Sequence, residues 1–179
     1  MIRLFTAVRL PDHIRNAIPV PESEGMKTVP AVNMHITLRY LGEIRREKTD
    51  ELRSALRTVS FNPFTATVTG TGCFPNRRNP AVLWIGVQPA GQLEAIFYRI
   101  EDALRPLGYG PEQRRYHPHI TVARPGASSK QAAIRFLDKY SDFSAGEFII
   151  EEFVLYESIL RHSGPEYRVV EVFQVLSNG

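Results

Sequence analysis

The chain writes one tetrapeptide pattern twice, as His35-Ile36-Thr37-Leu38 and as His119-Ile120-Thr121-Val122. Imidazole is the side chain whose unperturbed pKa lies closest to neutrality. Two imidazoles facing each other across a cleft supply one general base and one general acid within a single turnover. That pairing suits the opening of a phosphodiester, where one oxygen loses a proton as another gains one. A threonine hydroxyl beside each imidazole can donate to the non-bridging phosphate oxygens, on which charge accumulates. Because the imidazoles carry both protons, the chemistry needs no metal. A lone histidine on a strand is more often structural, and with five histidines in the chain one His-x-Thr match has little weight. Two matches, each followed by an aliphatic residue, carry the functional reading.

Both tetrapeptides lie in runs rich in Ile, Val and Thr, which read as β-strands. In a strand, residues i and i+2 share a face. His35 and Thr37 therefore face one way and Ile36 and Leu38 the other, and the second motif repeats the arrangement. By the same parity Arg39 continues the His35 face, where it either reaches a phosphate or flanking nucleotide or pairs with a carboxylate. Tyr40 falls on the aliphatic, core side. His117 shares the parity of His119, and two histidines so placed could ligate zinc. No carboxylate or cysteine sits at a spacing that completes such a site, so no metal is expected. Arg124 breaks parity with His119 and Thr121, just before Pro125-Gly126, and on spacing alone reads as a surface arginine.

The remaining pattern predicts a strand over 2–9, a helix from Pro11-Asp12 to about 18, and a loop over 19–30 whose length invites mobility. The first motif strand spans 34–41, closed by Gly42. An amphipathic helix over 46–58 carries Leu52, Ala55, Leu56 and Val59. A strand over 64–70 gives way to a loop with Arg77 and Arg78 at its tip, then an apolar strand over 81–87. A helix to Leu104 shows Leu93, Ile96, Phe97, Ile100 and Leu104 on one face. The second motif strand starts at Tyr116, and a helix over 128–139 has Ser128 and Ser129 as cap candidates. Two long strands, 146–159 and 166–176, close the chain around a turn. A motif strand, a helix and further strands thus occur twice. This weak duplication predicts a pseudo-twofold arrangement with one histidine from each side of a cleft.

With 179 residues, 43% of them hydrophobic, the chain suits one domain or two small lobes sharing a core. No apolar run approaches the roughly 20 residues of a membrane helix. Arg3 and Arg9 bracket too short an apolar run for a secretory signal, so a cytoplasmic monomer with no membrane partner is expected. The single Cys73 excludes an internal disulfide and a cysteine zinc site. The net charge is only +3, but 18 arginines stand against 4 lysines. Guanidinium binds phosphate in a two-pronged way, although genome composition and growth temperature also drive arginine usage.

His35-Ile-Thr-Leu-Arg-Tyr-Leu-Gly42 and His117-Pro-His-Ile-Thr-Val-Ala-Arg-Pro125 resemble the two signature segments of the 2H phosphoesterase superfamily. Within it they resemble the RNA 2′,3′-cyclic phosphodiesterases, long labelled 2′-5′ RNA ligases. Leu155 to Tyr167, with Ser158-x-Leu160 and Gly164-Pro165-x-Tyr167, is similar to that family's closing segment. The resemblance implies a bilobal pseudo-twofold α+β fold, with two antiparallel sheets forming a central cleft and helices packed outside. Residues 1–179 would form a single domain of two intertwined lobes, each contributing one motif strand. It implies hydrolysis of RNA 2′,3′-cyclic phosphate ends, such as those of tRNA fragments or other small RNA, to 2′-phosphomonoesters. It implies His35 as acid, His119 as base, and Thr37, Thr121 and Arg124 as phosphoryl ligands, with no cofactor and a reverse 2′-5′ ligation. The residues themselves leave the acid and base roles open. Two other readings stand beside this one: a non-catalytic module that binds a nucleotide or RNA end, and a phosphodiesterase for a small cyclic nucleotide.

Overall fold

Nine strands and four helices follow one another along residues 1–174, the part of the chain that the computed structural model describes. They are β1 (Ile2–Arg9), α1 (Asp12–Ala17), β2 (Met26–Thr28), β3 (His35–Ile44), α2 (Thr49–Leu56), β4 (Phe64–Phe74) and β5 (Val82–Gln88). Then come α3 (Ala90–Leu104), β6 (His119–Pro125), α4 (Lys130–Lys139), β7 (Ser144–Ile150), β8 (Glu152–Arg161) and β9 (Gly164–Gln174). Residues 175–176, expected at the end of the last strand, lie outside the described residues.

The strands make an antiparallel α+β architecture, ordered β7-β4-β5-β6-β3-β1-β8-β9, with β2 added along β6. At the middle, β3 meets β6 through one register pair, Ile36 with Ile120, the second residue of each motif. The two antiparallel sheets of the expected cleft are thus joined there into one nine-stranded sheet, four strands on the side of the first motif and five, with β2, on the side of the second. The halves exchange strands. β4 follows the first motif in the chain but lies in the half of the second, and β8 and β9 do the converse.

Burial fixes this register. Ile36, Leu38, Ile120 and Val122 are all buried, and each such side chain removed from water contributes about 1.5–3 kcal/mol. A slip by one residue would turn those four outward and drive the histidines into the core. On the other side of the sheet α3 buries the predicted stripe of Leu93, Ile96, Phe97, Ile100 and Leu104, and α2 buries Leu52 and Leu56.

Several elements differ from the sequence pattern. Gly42 does not close its strand. It sits at φ +80° beside a register shift between Leu4 and Phe5, and β3 runs on to Ile44. Gly70, at φ +71°, is likewise the bulged residue of a longer β4, which continues to Phe74. Glycine tolerates the positive φ that such a bulge needs, so the strand bends where it was expected to stop. The strand expected over 146–159 is two strands. It breaks at Glu151, where the chain leaves β4 for β1. Within the expected loop, residues 26–28 pair with β6. Ser129 stands at the N-cap of α4 without a side-chain capping hydrogen bond; its hydroxyl donates instead to the Glu24 carbonyl at 2.9 Å and ties that loop down. Cys73 is half-buried in β4, and burial pushes its thiol up. No helix among the described residues is long and apolar enough to cross a membrane.

Candidate active site

The fourth residue of each motif is a β-bulge. Along β3 the register with β1 moves from Ala7–Thr37 to Thr6–Arg39, leaving Leu38 as the extra residue. Along β6 the register with β5 moves from Trp84–Thr121 to Leu83–Ala123, leaving Val122 extra. A bulge reverses the alternation of faces beyond it. The fully buried Thr6 hydroxyl accepts from the Arg39 backbone N–H at 3.1 Å and satisfies the interrupted ladder.

This reversal corrects the expectation for Arg39 and Tyr40. Arg39 turns away from the cleft, its side chain only 12% exposed, and is ion-paired with Glu101 of α3 and with Glu112 at 3.2 Å. It also donates to the Gly110 carbonyl at 2.7 Å. It is therefore a structural ion-pair partner and is not among the residues that line the cleft. Tyr40, 50% exposed, takes the cleft-facing position instead. The second bulge does the same for Arg124, five residues past His119 as Tyr40 is five past His35, and carries it into the cleft. Arg39→Gln is expected to destabilise the fold by about 1–3 kcal/mol through the stranded Glu101, without moving the KM for substrate. Urea unfolding alongside steady-state kinetics checks this, and a raised KM at unchanged stability would return Arg39 to the site.

Both histidines are held in one tautomer. His35 Nδ1–H donates to the Asn33 carbonyl at 2.7 Å, and His119 Nδ1–H donates to the His117 carbonyl at 2.6 Å. A carbonyl oxygen only accepts, so in each ring Nε2 is the nitrogen free to gain or give a proton. At His35 that nitrogen accepts from the Thr37 hydroxyl at 3.0 Å. The hold continues outward, since the Asn33 amide donates to the Pro165 carbonyl at 2.9 Å. Antiparallel pairing at Ile36 and Ile120 sets His35 on the side of Thr121 and Thr37 on the side of His119. Tyr116 ties the halves together. Its hydroxyl donates to the Thr37 carbonyl at 3.1 Å while its ring stacks on Phe97 at 4.7 Å.

The imidazoles sit against aromatic walls. His35 lies 5.0 Å from Phe5 and edge-on to Tyr167 at 5.3 Å. His119 lies edge-on to Phe74 at 4.9 Å, with Trp84 behind at 6.1 Å. Burial lowers both imidazole pKa values below 6.5, and the Asn33 and His117 carbonyls only partly oppose this. Positive charge on His119 lowers His35 further, and charge on His117 and Arg124 lowers His119 further.

The cleft itself holds about 410 Å³. His35, Thr37, Thr121 and Arg124 line it, and His119 shares the Thr121 face of β6. All five side chains singled out beside Arg39 are thus brought together. The sequence reading missed Tyr40, Asn33, Lys27 and Tyr167. The Gly164-Pro165-x-Tyr167 segment was a signal for Tyr167 and for the Asn33 anchor, though not for what either touches. Among the described residues no cluster of three or more His, Cys, Asp or Glu could ligate a metal with His117 and His119.

Comparison with known proteins places this geometry. A fold of this kind with two His-x-Thr strands at one cleft defines a 2H phosphoesterase. A model of the 2′-5′ RNA ligase superfamily matches residues 7–160, and the chain belongs to that family. It is 36% identical over 178 residues to the RNA 2′,3′-cyclic phosphodiesterase of Archaeoglobus fulgidus, covering 97% of this chain and 100% of that one. The crystal structure of TT0787 of Thermus thermophilus matches with a TM-score of 0.81 at 29% identity, over 99% of this chain and 100% of that one. That of E. coli LigT complexed with 3′-AMP matches with a TM-score of 0.76 at 26% identity, over 98% and 99%.

Proposed function

We propose that this protein hydrolyses the 2′,3′-cyclic phosphate at an RNA end to a 2′-phosphomonoester, with His35 and His119 moving both protons and no metal taking part. The observation that carries the reading is the matched tautomer of the two histidines, each with Nδ1–H on a backbone carbonyl and Nε2 left for proton transfer, on strands that meet at one cleft. His119 takes a proton from water at Nε2 as the water oxygen attacks phosphorus. The bond from phosphorus to O3′ breaks, and His35 gives its Nε2 proton to O3′. Thr37, Thr121 and Arg124 hold the phosphoryl oxygens as charge builds on them. A 5′-hydroxyl attacking in place of water, with the same bond broken, would join two RNA ends 2′-5′.

The Archaeoglobus relative carries the name of this activity, and the LigT structure holds a nucleotide. Both support the substrate class. On this reading residues 1–179 act as one unit and as a monomer, on the ends of small RNA such as tRNA fragments, in the cytoplasm. A binding module would need neither a matched tautomer nor two displaced imidazole pKa values.

The pH dependence tests the assignment. Turnover needs one imidazole neutral and the other protonated. The kcat/KM profile, which reports the free enzyme, rises as the base loses its proton and falls as the acid loses its own. Because both pKa values are lowered, the maximum is expected on the acid side of 6.5. A bound phosphate anion favours the protonated rings, so the kcat maximum is expected at higher pH. A profile flat from about pH 5 to 8 would rule out paired imidazoles.

A further inference from the structure

The three residues of β2 bring a second cation to the cleft. Lys27 stands opposite Arg124 in the antiparallel pairing of β2 with β6, and both line the cleft. Directly paired residues share one face of a sheet with Cβ atoms about 5 Å apart. Among the described residues, the side chains that line this cleft include no carboxylate, and Thr28, Ser158 and Ser163 add hydroxyls. Lys27 is also held in place. The Ser129 hydroxyl donates to the Glu24 carbonyl at 2.9 Å, the Gly126 N–H to the Gly25 carbonyl at 2.9 Å, and the Val29 N–H to the Val122 carbonyl at 2.8 Å. Gly25 sits at φ +76°, and a Cβ there would lie 2.7 Å from the Ser128 hydroxyl, so the loop fits closely against the start of α4.

A larger groove, of about 710 Å³, opens on the other side of His35 and shares Asn33, His35 and Tyr167 with the cleft. Its charge is unsuited to RNA. Asp12, Glu151 and Glu152 line it, and its arginines are taken, Arg9 by Glu152 and Arg15 by Asp12. A polyanion leaving the reaction centre therefore meets free cationic charge on the β2 side and, on the other, two neutralised ion pairs and the Glu151 carboxylate, which has no cationic partner among the described residues. Lys27 is set roughly 10 Å along the strand from Thr121, three residues away through its partner Arg124. Arg124 lies at the same distance along the strand and is the ligand on the motif strand itself. Lys27 stands a further strand spacing, about 4.8 Å, to its side on β2, so of the two cations it is the one left for the next phosphate of the chain.

We propose that Lys27, with Thr28, is a second phosphate subsite that holds the phosphodiester immediately 5′ of the terminal nucleotide, so that the protein selects an oligonucleotide over a nucleoside cyclic phosphate. The inference rests on the cyclic phosphodiesterase reading above. It assigns specificity to a segment that carries no part of the motifs.

Two substrates test it: uridine 2′,3′-cyclic phosphate, and the dinucleotide adenylyl-uridine ending in the same cyclic phosphate. Wild type, Lys27→Gln and Lys139→Gln, which removes the same charge elsewhere on the surface, are assayed on both across a salt series. Lys27→Gln is expected to lower kcat/KM for the dinucleotide about tenfold more than for the mononucleotide. It should also make the dinucleotide's dependence of log kcat/KM on log salt shallower by about 0.7, the share of one single-strand phosphate contact. Lys139→Gln should do neither. An equal effect of Lys27→Gln on the two substrates, or an unaltered salt slope, would overturn the subsite while leaving the phosphodiesterase reading intact. Wild type that turns over neither substrate would overturn that reading, and this one with it.

Discussion

His35→Ala and His119→Ala each lower kcat by about 10²–10⁴-fold, the usual worth of one acid or base, while the protein stays folded. Each ring is held by a hydrogen bond to a backbone carbonyl, His35 also by the Thr37 hydroxyl, and by aromatic contacts at its edge. Removing a ring leaves those carbonyls facing a cleft large enough for water to satisfy them, so activity falls far more than stability. The double variant is expected to be little worse than the poorer single one, because acid and base act as a unit. The two substitutions should also differ with pH. Losing His119 removes the limb on which activity rises with pH, and losing His35 removes the limb on which it falls. Rate profiles of the single variants check this. Either variant keeping near wild-type kcat would remove that residue from the mechanism.

Arg124→Ala is expected to lower kcat/KM by about 10²–10³-fold, comparable to losing a preorganised donor at a developing oxyanion. Arg124 reaches the cleft because Val122 is bulged, and it lines that cleft beside Thr121. Arg124→Lys should recover only part of the loss, since an ammonium cannot make the two parallel bonds of a guanidinium. Removing positive charge beside His119 also raises that ring's pKa, because Arg124 is one of the charges that lower it. The limb on which activity rises with pH should therefore move upward in Arg124→Ala. Full activity on the cyclic phosphate would reduce Arg124 to the surface residue that its spacing suggests.

The motif residues were legible because their pattern is local. His-Ile-Thr in a β-prone run fixes which side chains share a face, and burial of Ile36 and Ile120 enforces it. The α3 stripe was legible for the same reason, as five apolar residues at helical spacing were all buried. Parity failed beyond the motifs because a bulge at Leu38 leaves no mark in the sequence. The residue is an ordinary leucine, and only the register against β1 shows that Arg39 and Tyr40 have exchanged faces. Glycine misled in the opposite direction. Gly42 and Gly70 look like strand ends but serve as the positive-φ residues of bulges inside longer strands. The break at Glu151 was hidden because Glu151-Glu152 offers no turn residue. β2 was hidden because three residues carry no periodicity, and its place depends on Gly126 and Ser129, about a hundred positions away in the chain.

The measurement that bears most directly on the central claim is product analysis. The purified protein is incubated in excess EDTA with a short RNA that ends in a 2′,3′-cyclic phosphate, and the new end is identified. Conversion to a 2′-phosphate is the expected result; it would establish the bond broken and the absence of a metal requirement together. RNA recovered with its cyclic phosphate intact, yet bound tightly in the cleft, would contradict the account and leave the two histidines to recognition alone.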